Sequence, residues 1–400
     1  MKKKIISFIT ATENINNFYF SNKFLIDELL KKFTDVYILN LHYLKILTKK
    51  KNIINTKFPK NINIIIFKSS DEFKKFNIYH EVISILDIGK DLSFFKIHYL
   101  LKKFNVKLIM IMNFSQIGNK MTIDLNWKYL FKAYKNYFNK GFYHLFRILT
   151  IINIFPKIDL LFESNLEIIN YIKNSRSKRI ENLLPFLRIS YFKEVIPINS
   201  IYFDYFNIIK KNKITKTKHL VYIDTHFDHE DRTSREGNIR QGDRDIFYNN
   251  LSSFLKKISY IYEKPVIISK HPNNKSIHKF YESFEISKVS TYEAIYNSEI
   301  AIFTVSSAIL NAVIMKKKII NINSKLLGDY FSNIGKQYVK SLGIFTFNID
   351  NNLDIKKKNL NTELDQAIKN YNIYISNKLM IDKKSSPLKK ITETINKKFF

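Results

Sequence analysis

The chain has 400 residues, 45% of them hydrophobic and 15% aromatic, with no cysteine and a formal net charge of +31. This composition excludes a disordered chain, a disulfide scaffold and a thiolate metal site, and the length allows two compact domains with cores of their own. No apolar run reaches the roughly 18 residues of a membrane-spanning helix, and the opening Met1-Lys2-Lys3-Lys4 with apolar 5–11 reads as a first strand, because Glu13-Asn14 interrupts it.

In chain order, strands are expected at 4–10, 36–39, 62–67, 82–86, 106–112 and one ending at 160–162, with helices at 20–33, 71–76 and 92–104 between them. Strand and helix in alternation mean a parallel sheet with helices on both faces, a Rossmann-like domain over 1–196. The stretch 127–155 breaks the rhythm: it mixes aromatics such as Trp127, Tyr134 and Phe142 with Lys128, Lys132, Lys135 and Arg147 and holds almost no acid. It reads as a helix packed on the domain, with a segment lying in a membrane interface as the alternative. Residues 197–218 read as a linker with a Lys210-Lys211-Asn212-Lys213 charge run.

The alternation then restarts over 219–345, with strands at 219–223, 265–269, near 284, 299–304 and 318–322, and helices at 246–262, 291–296 and 308–315. Ser290-Thr291-Tyr292-Glu293 has the form of a capping box. This is a second Rossmann-like domain, and 346–400 is a Lys-rich helical tail that packs back across both.

Most of the positive charge comes from lysines scattered along the whole chain, a compositional bias rather than a block. The arginines behave differently, since Arg232, Arg235, Arg240 and Arg244 fall in one short stretch. A guanidinium presents a planar fork to carboxylate or phosphate, so this stretch is a candidate for binding a substrate carboxylate, and also fits a solvated loop. The run 224–231 concentrates His and carboxylates, but it lies on a loop without an evident distant ligand, so no metal site is assigned.

Chemistry is expected where strands end. Ala301-Ile302-Phe303-Thr304-Val305 is followed at once by Ser306-Ser307 and an apolar helix, so backbone N–H groups and two hydroxyls converge where a phosphate can settle. Upstream, Pro265-Val266-Ile267-Ile268-Ser269 runs into Lys270-His271-Pro272. Ligands of open α/β sheets bind outside the carboxyl ends of the strands, so His271, Ser306, Ser307 and Lys270 are the candidate donor-phosphate ligands. For a general base the candidates are Asp87, in Leu86-Asp87-Ile88-Gly89, and Glu163, in Phe162-Glu163-Ser164.

On Lys270-His271-Pro272 after a strand, and Ser306-Ser307-Ala308 before a buried helix closed by Lys316-Lys317-Lys318-Ile319-Ile320, the sequence resembles bacterial GT-B glycosyltransferases of surface-polysaccharide assembly, of the CMP-sugar-using sialyltransferase and Kdo-transferase type. The loop 113–119 is similar to one in related proteins. The family's acidic pair followed by Gly is approximated by Asp87-Ile88-Gly89, with Ile in place of the second acid. The resemblance implies α/β architecture with two Rossmann-like domains facing a cleft. It implies an inverting, metal-independent enzyme that moves a 2-keto acid sugar from a CMP donor to a glycan or lipid-linked glycan, with His271 and the Ser pair on the CMP phosphate. No cofactor and no nucleic acid enter this reading. The expected location is the cytoplasm, with contact at the inner face of the cytoplasmic membrane left open. Two alternatives stand beside it: a CDP-polyol phosphotransferase of the teichoic-acid type using the same residues, and a basic nucleic-acid-binding protein.

Overall fold

The computed structural model describes residues 2–45, 58–88, 92–112, 149–150, 153–174, 192–211, 219–225, 227, 241–271, 278–351, 355–382 and 385–400. They form two compact units: the described residues up to Ser200 together with Ile381–Phe400, and Ile201–Met380.

Unit 1 runs β1 (Lys3–Thr10), α1 (Ile15–Leu29), β2 (Val36–Asn40), β3 (Ile62–Ile66), α2 (Ser70–Tyr79), β4 (His80–Asp87), α3 (Phe95–Lys103), β5 (Lys107–Met112), β6 (Ile158–Glu163), α4 (Leu166–Asn174) and β7 (Phe192–Pro197). The sheet is parallel, in the order β3-β2-β1-β4-β5-β6-β7. Burial follows position in it. The last six residues of central β1 are all buried, whereas edge strand β7 exposes Lys193 and Glu194 and ends on Pro197, which has no N–H to offer a further strand. Helix α1 starts earlier than the expected residue 20, because the Asn14 side chain accepts the Asn17 N–H at 3.0 Å and caps it. Helix α2 is capped in the same way by Ser69, with Asp71 and Glu72 in its first turn.

Unit 2 runs α5 (Tyr202–Lys211), β8 (His219–Ile223), α6 (Gln241–Tyr262), β9 (Val266–Ser269), β10 (Glu285–Ile286), α7 (Thr291–Asn297), β11 (Ser298–Phe303), α8 (Ile309–Ile314), β12 (Lys318–Asn323), α9 (Asp329–Leu342), β13 (Phe345–Asn348) and α10 (Lys357–Tyr374). Its parallel sheet has the order β10-β9-β8-β11-β12-β13, and every residue of β8 is buried. The stretch read as a linker thus holds a helix. Tyr202, Tyr205 and Ile209 of α5 are buried, and the Tyr205 ring meets Tyr292 of α7 edge-on at 5.2 Å, so apolar anchors override the Lys run at its end. Ser290 and Glu293 form the expected capping box on α7.

The last helix, α11 (Pro387–Phe399), belongs to unit 1. Ile391 and Ile395 are fully buried, Phe400 packs on Phe33 at 4.8 Å, and Lys398 pairs with Glu194 of β7. Asn199 anchors its approach. The buried amide donates to the carbonyls of Asp382 and Ser385 and accepts the N–H groups of Ile381 and Asp382 at 2.7 and 2.9 Å. Removing it leaves several backbone groups unsatisfied at once. Asn199→Ala is expected to destabilise unit 1 by about 3 kcal/mol in urea unfolding and to make the chain at Ile381 and Asp382 more open to proteases. Unchanged unfolding and digestion would show that the clamp is dispensable.

Candidate functional site

Strand β8 is where the sheet of unit 2 turns back on itself, with β9 and β10 on one side and β11, β12 and β13 on the other. At such a point the loops leaving the carboxyl ends of the strands diverge and open a crevice. Ile223 of β8 pairs with Ser269 of β9 and with Phe303 of β11, and Phe303 pairs with Asn321 of β12. The residues just past this row therefore share one edge: Asp224 and Thr225, Lys270 and His271, and 304–306. The tips of β9 and β11 are two strand spacings apart, about 10 Å. His271 and Ser306 thus flank the end of the same strand, and both are partly exposed.

Hydrogen bonds tie these tips together. Asp224 is buried, and its Oδ2 accepts the His271 backbone N–H at 3.3 Å and the Tyr281 hydroxyl at 3.1 Å. Its own N–H donates to the Ser269 carbonyl at 3.0 Å. The Lys270 ammonium lies 4.6 Å from the centroid of the Tyr281 ring, a cation–π contact. Across β8 the hydroxyls of Thr225 and Thr304 bond each other, and the Thr304 carbonyl accepts from Asn321 Nδ2 at 2.8 Å. Ser269 and Thr291 join by their hydroxyls at 3.0 Å.

The Ser pair differs from expectation in its local geometry. Helix α8 begins at Ile309 and has six residues, all buried, and its N-cap, Ala308, makes no side-chain bond. Ser306 Oγ accepts the Ala308 N–H at 3.2 Å, and the carbonyls of Ser306 and Ser307 accept Ile309 and Leu310 N–H groups at 3.2 Å. The hydroxyls therefore sit on a tight turn before a short helix, with Ser307 exposed.

Unit 1 has its own reversal at β1, flanked by β2 and β4, and there Thr10 pairs with Asp87. The Asp87 side chain reaches the surface, while the protein packed beside it desolvates the carboxyl and raises its pKa. Glu163, at the end of β6, is fully buried. Its Oε1 accepts the Asn165 N–H at 2.8 Å and its Oε2 has no partner among the described residues. Burial lifts its pKa to about 7, against the lowering effect of the Asn165 and Ser164 N–H groups.

Arg244 lies in the first turns of α6, while Arg232, Arg235 and Arg240 fall outside the described residues, as do Gly89, Pro272, 113–119 and 127–148. Of the 224–231 run, Phe227 is a core residue stacked on Phe247 at 4.3 Å. Among the described residues no group of three His, Cys, Asp or Glu could hold a metal ion, and no helix is long and apolar enough to cross a membrane. Sequence reasoning missed Tyr281, Asn321 and the Thr225–Thr304 pair. The available signal was Asp224, an acid directly after the run Leu220-Val221-Tyr222-Ile223 of a fully buried strand.

No family model and no curated protein matches the sequence. Among solved structures the chain is similar to variants of the wall teichoic acid polymerase TagF. One matches at 14% identity and a TM-score of 0.52, over 99% of this chain and 88% of that one. A form described with CDPG matches at 13% identity and 0.50, over 99% and 88%. UDP-GlcNAc 2-epimerase from Methanocaldococcus jannaschii, in complex with UDP-GlcNAc and UDP, matches at 14% and 0.47, over 99% and 100%. The likeness to TagF is one of fold: two Rossmann-like α/β domains with parallel sheets, the architecture of the GT-B class.

The Glu163 carboxyl takes up its proton more readily in the folded chain than at its ordinary value of 4.5. Folding is therefore unpenalised by this group below pH 4.5, and stability falls as pH rises through about 7. Relative to Glu163→Gln, the wild type is expected to lose up to about 3 kcal/mol between these limits in urea unfolding at a series of pH values. Parallel profiles for the two proteins would rule this out.

Proposed function

We propose that the chain is a transferase that takes a cytidine-nucleotide-activated donor and releases CMP, with the donor phosphate held by unit 2 at the carboxyl end of β8. What supports this reading most is the placement of Lys270 and His271 on one side of that strand end and Ser306 and Ser307 on the other. A phosphate there meets an ammonium, an imidazole and two hydroxyls. Donors of this kind stabilise the charge that gathers on CMP as its bond breaks.

In the first form of the reading the donor is a CMP-linked 2-keto acid sugar and the acceptor a surface glycan, free or on a lipid carrier. The acceptor oxygen bonds to the anomeric carbon from the face opposite CMP, the bond from that carbon to the phosphate oxygen breaks, and the configuration inverts. The hydroxyl proton passes to a carboxylate. Asp87 is better suited than Glu163, because it reaches solvent with a raised pKa whereas Glu163 is sealed. Arg244, with the arginines that precede it in sequence, binds the sugar carboxylate.

The likeness to TagF, described with CDPG, favours a second form. There the donor is a CDP-polyol, the acceptor oxygen attacks the outer phosphorus, and the bridge between the phosphates breaks. CMP leaves in both.

Thermal shift with CMP, CDP, UDP and GDP tests the shared claim. CMP and CDP are expected to raise the melting temperature of the wild type, by the equivalent of about 2.7 kcal/mol at a hundredfold excess over Kd, and to lose most of that effect in His271→Ala. Release of CMP from a CMP-sugar or from CDP-glycerol separates the two forms. No shift with any nucleotide, accompanied by salt-sensitive binding to an arbitrary duplex, would overturn the proposal in favour of nucleic-acid binding.

A further inference from the structure

Tyr281 stands outside the residues placed on the donor phosphate, yet two of its contacts reach them. It lies in the one-turn 3-10 helix Lys279–Ser283 and is buried. Its hydroxyl donates to Asp224 Oδ2 at 3.1 Å, and that same oxygen accepts the His271 backbone N–H at 3.3 Å. With its proton committed to the carboxylate, the Tyr281 oxygen accepts the Tyr248 hydroxyl at 3.1 Å. The relay therefore runs from α6 through two phenols and a carboxylate to the backbone of His271, the second residue after β9. The ring face of the same tyrosine lies 4.6 Å from the Lys270 ammonium.

We infer that Tyr281 is the positioning residue of the donor-phosphate site, its hydroxyl fixing His271 through Asp224 and its ring fixing Lys270. This rests on the donor-site reading above and adds to it a division of labour within one side chain. The polar end sets where the imidazole starts from. The aromatic face holds the ammonium by attraction to the ring quadrupole, so that it is not free to sweep through solvent. Burial keeps the arrangement rigid, because an unpaired carboxylate in place of Asp224's present partners is costly to leave in the protein.

The two functions separate by substitution, with CMP affinity read by calorimetry on the full chain. Tyr281→Phe keeps the ring and loses the hydroxyl, and is expected to weaken CMP binding about fivefold. Lys270→Met should weaken CMP binding by the same factor in the wild type and in Tyr281→Phe, but by a much smaller factor in Tyr281→Leu, where the ring face is gone. That pattern of coupling is one that a general loss of stability does not produce, and melting temperatures without ligand report folding separately. Wild-type affinity in Tyr281→Phe, or an equal Lys270→Met effect in all three backgrounds, overturns the positioning role while leaving the donor site standing. A wild type that binds neither CMP nor CDP overturns the donor site and this inference together.

Discussion

The edge of unit 2 depends on one constraint, the reversal of strand order at β8. A fully buried strand that hydrogen-bonds β9 on one flank and β11 on the other must deliver the residues after all three to the same edge. The chain exploits this by placing Asp224 at the centre. A single carboxylate oxygen then receives a backbone N–H from the β9 side and a phenol from the turn near β10. The Thr225–Thr304 bond ties the β11 side to the same strand end. Side chains on short, cross-braced turns lose little freedom when a ligand arrives, which is the physical meaning of a preorganised site.

The apolar runs made most of the two sheets legible, but not the edge strands β7 and β13. Strands buried on both faces are written as near-continuous Ile, Val, Leu and Phe, and each of the expected strands in the described residues appears within a residue or two of its expected place. Helix boundaries were less legible for definable reasons. Helix α1 opens on Ile15-Asn16-Asn17, whose polar residues hide the period, and α5 is anchored by tyrosines within a Lys-rich stretch. Three helix ends lacked the glycine signal: Asn105, Glu263 and Lys316 take the left-handed conformation at φ 52, 53 and 53°, whereas α9 does close on Gly343 at φ 64°. Each of the three ends without glycine is closed by a backbone bond from the following residue to the carbonyl five before it, as from Val106 to Leu101.

The candidate site was half legible. His271 and the Ser pair follow apolar strands directly, so their position at a sheet edge could be read. Their partners could not, because Tyr281 lies 57 residues from Asp224 in the chain and no local pattern marks the pairing. The order of strands, which decides that β9 and β11 both neighbour β8, is likewise a property of the whole sheet rather than of any segment.

Because α11 and the segment clamped by Asn199 complete unit 1 while the described residues of unit 2 all lie between Ile201 and Met380, the chain is nested. Of the two units the one begun first is the one finished last: α1 and the turn after it emerge early, but Phe33 in that turn lacks its cover until Phe400 has left the ribosome. Unit 2 has all of its strands and helices by then. A chain stopped short near residue 380 would therefore carry an intact unit 2 and an incomplete unit 1, with the apolar surface that Ile391 and Ile395 cover left open to water.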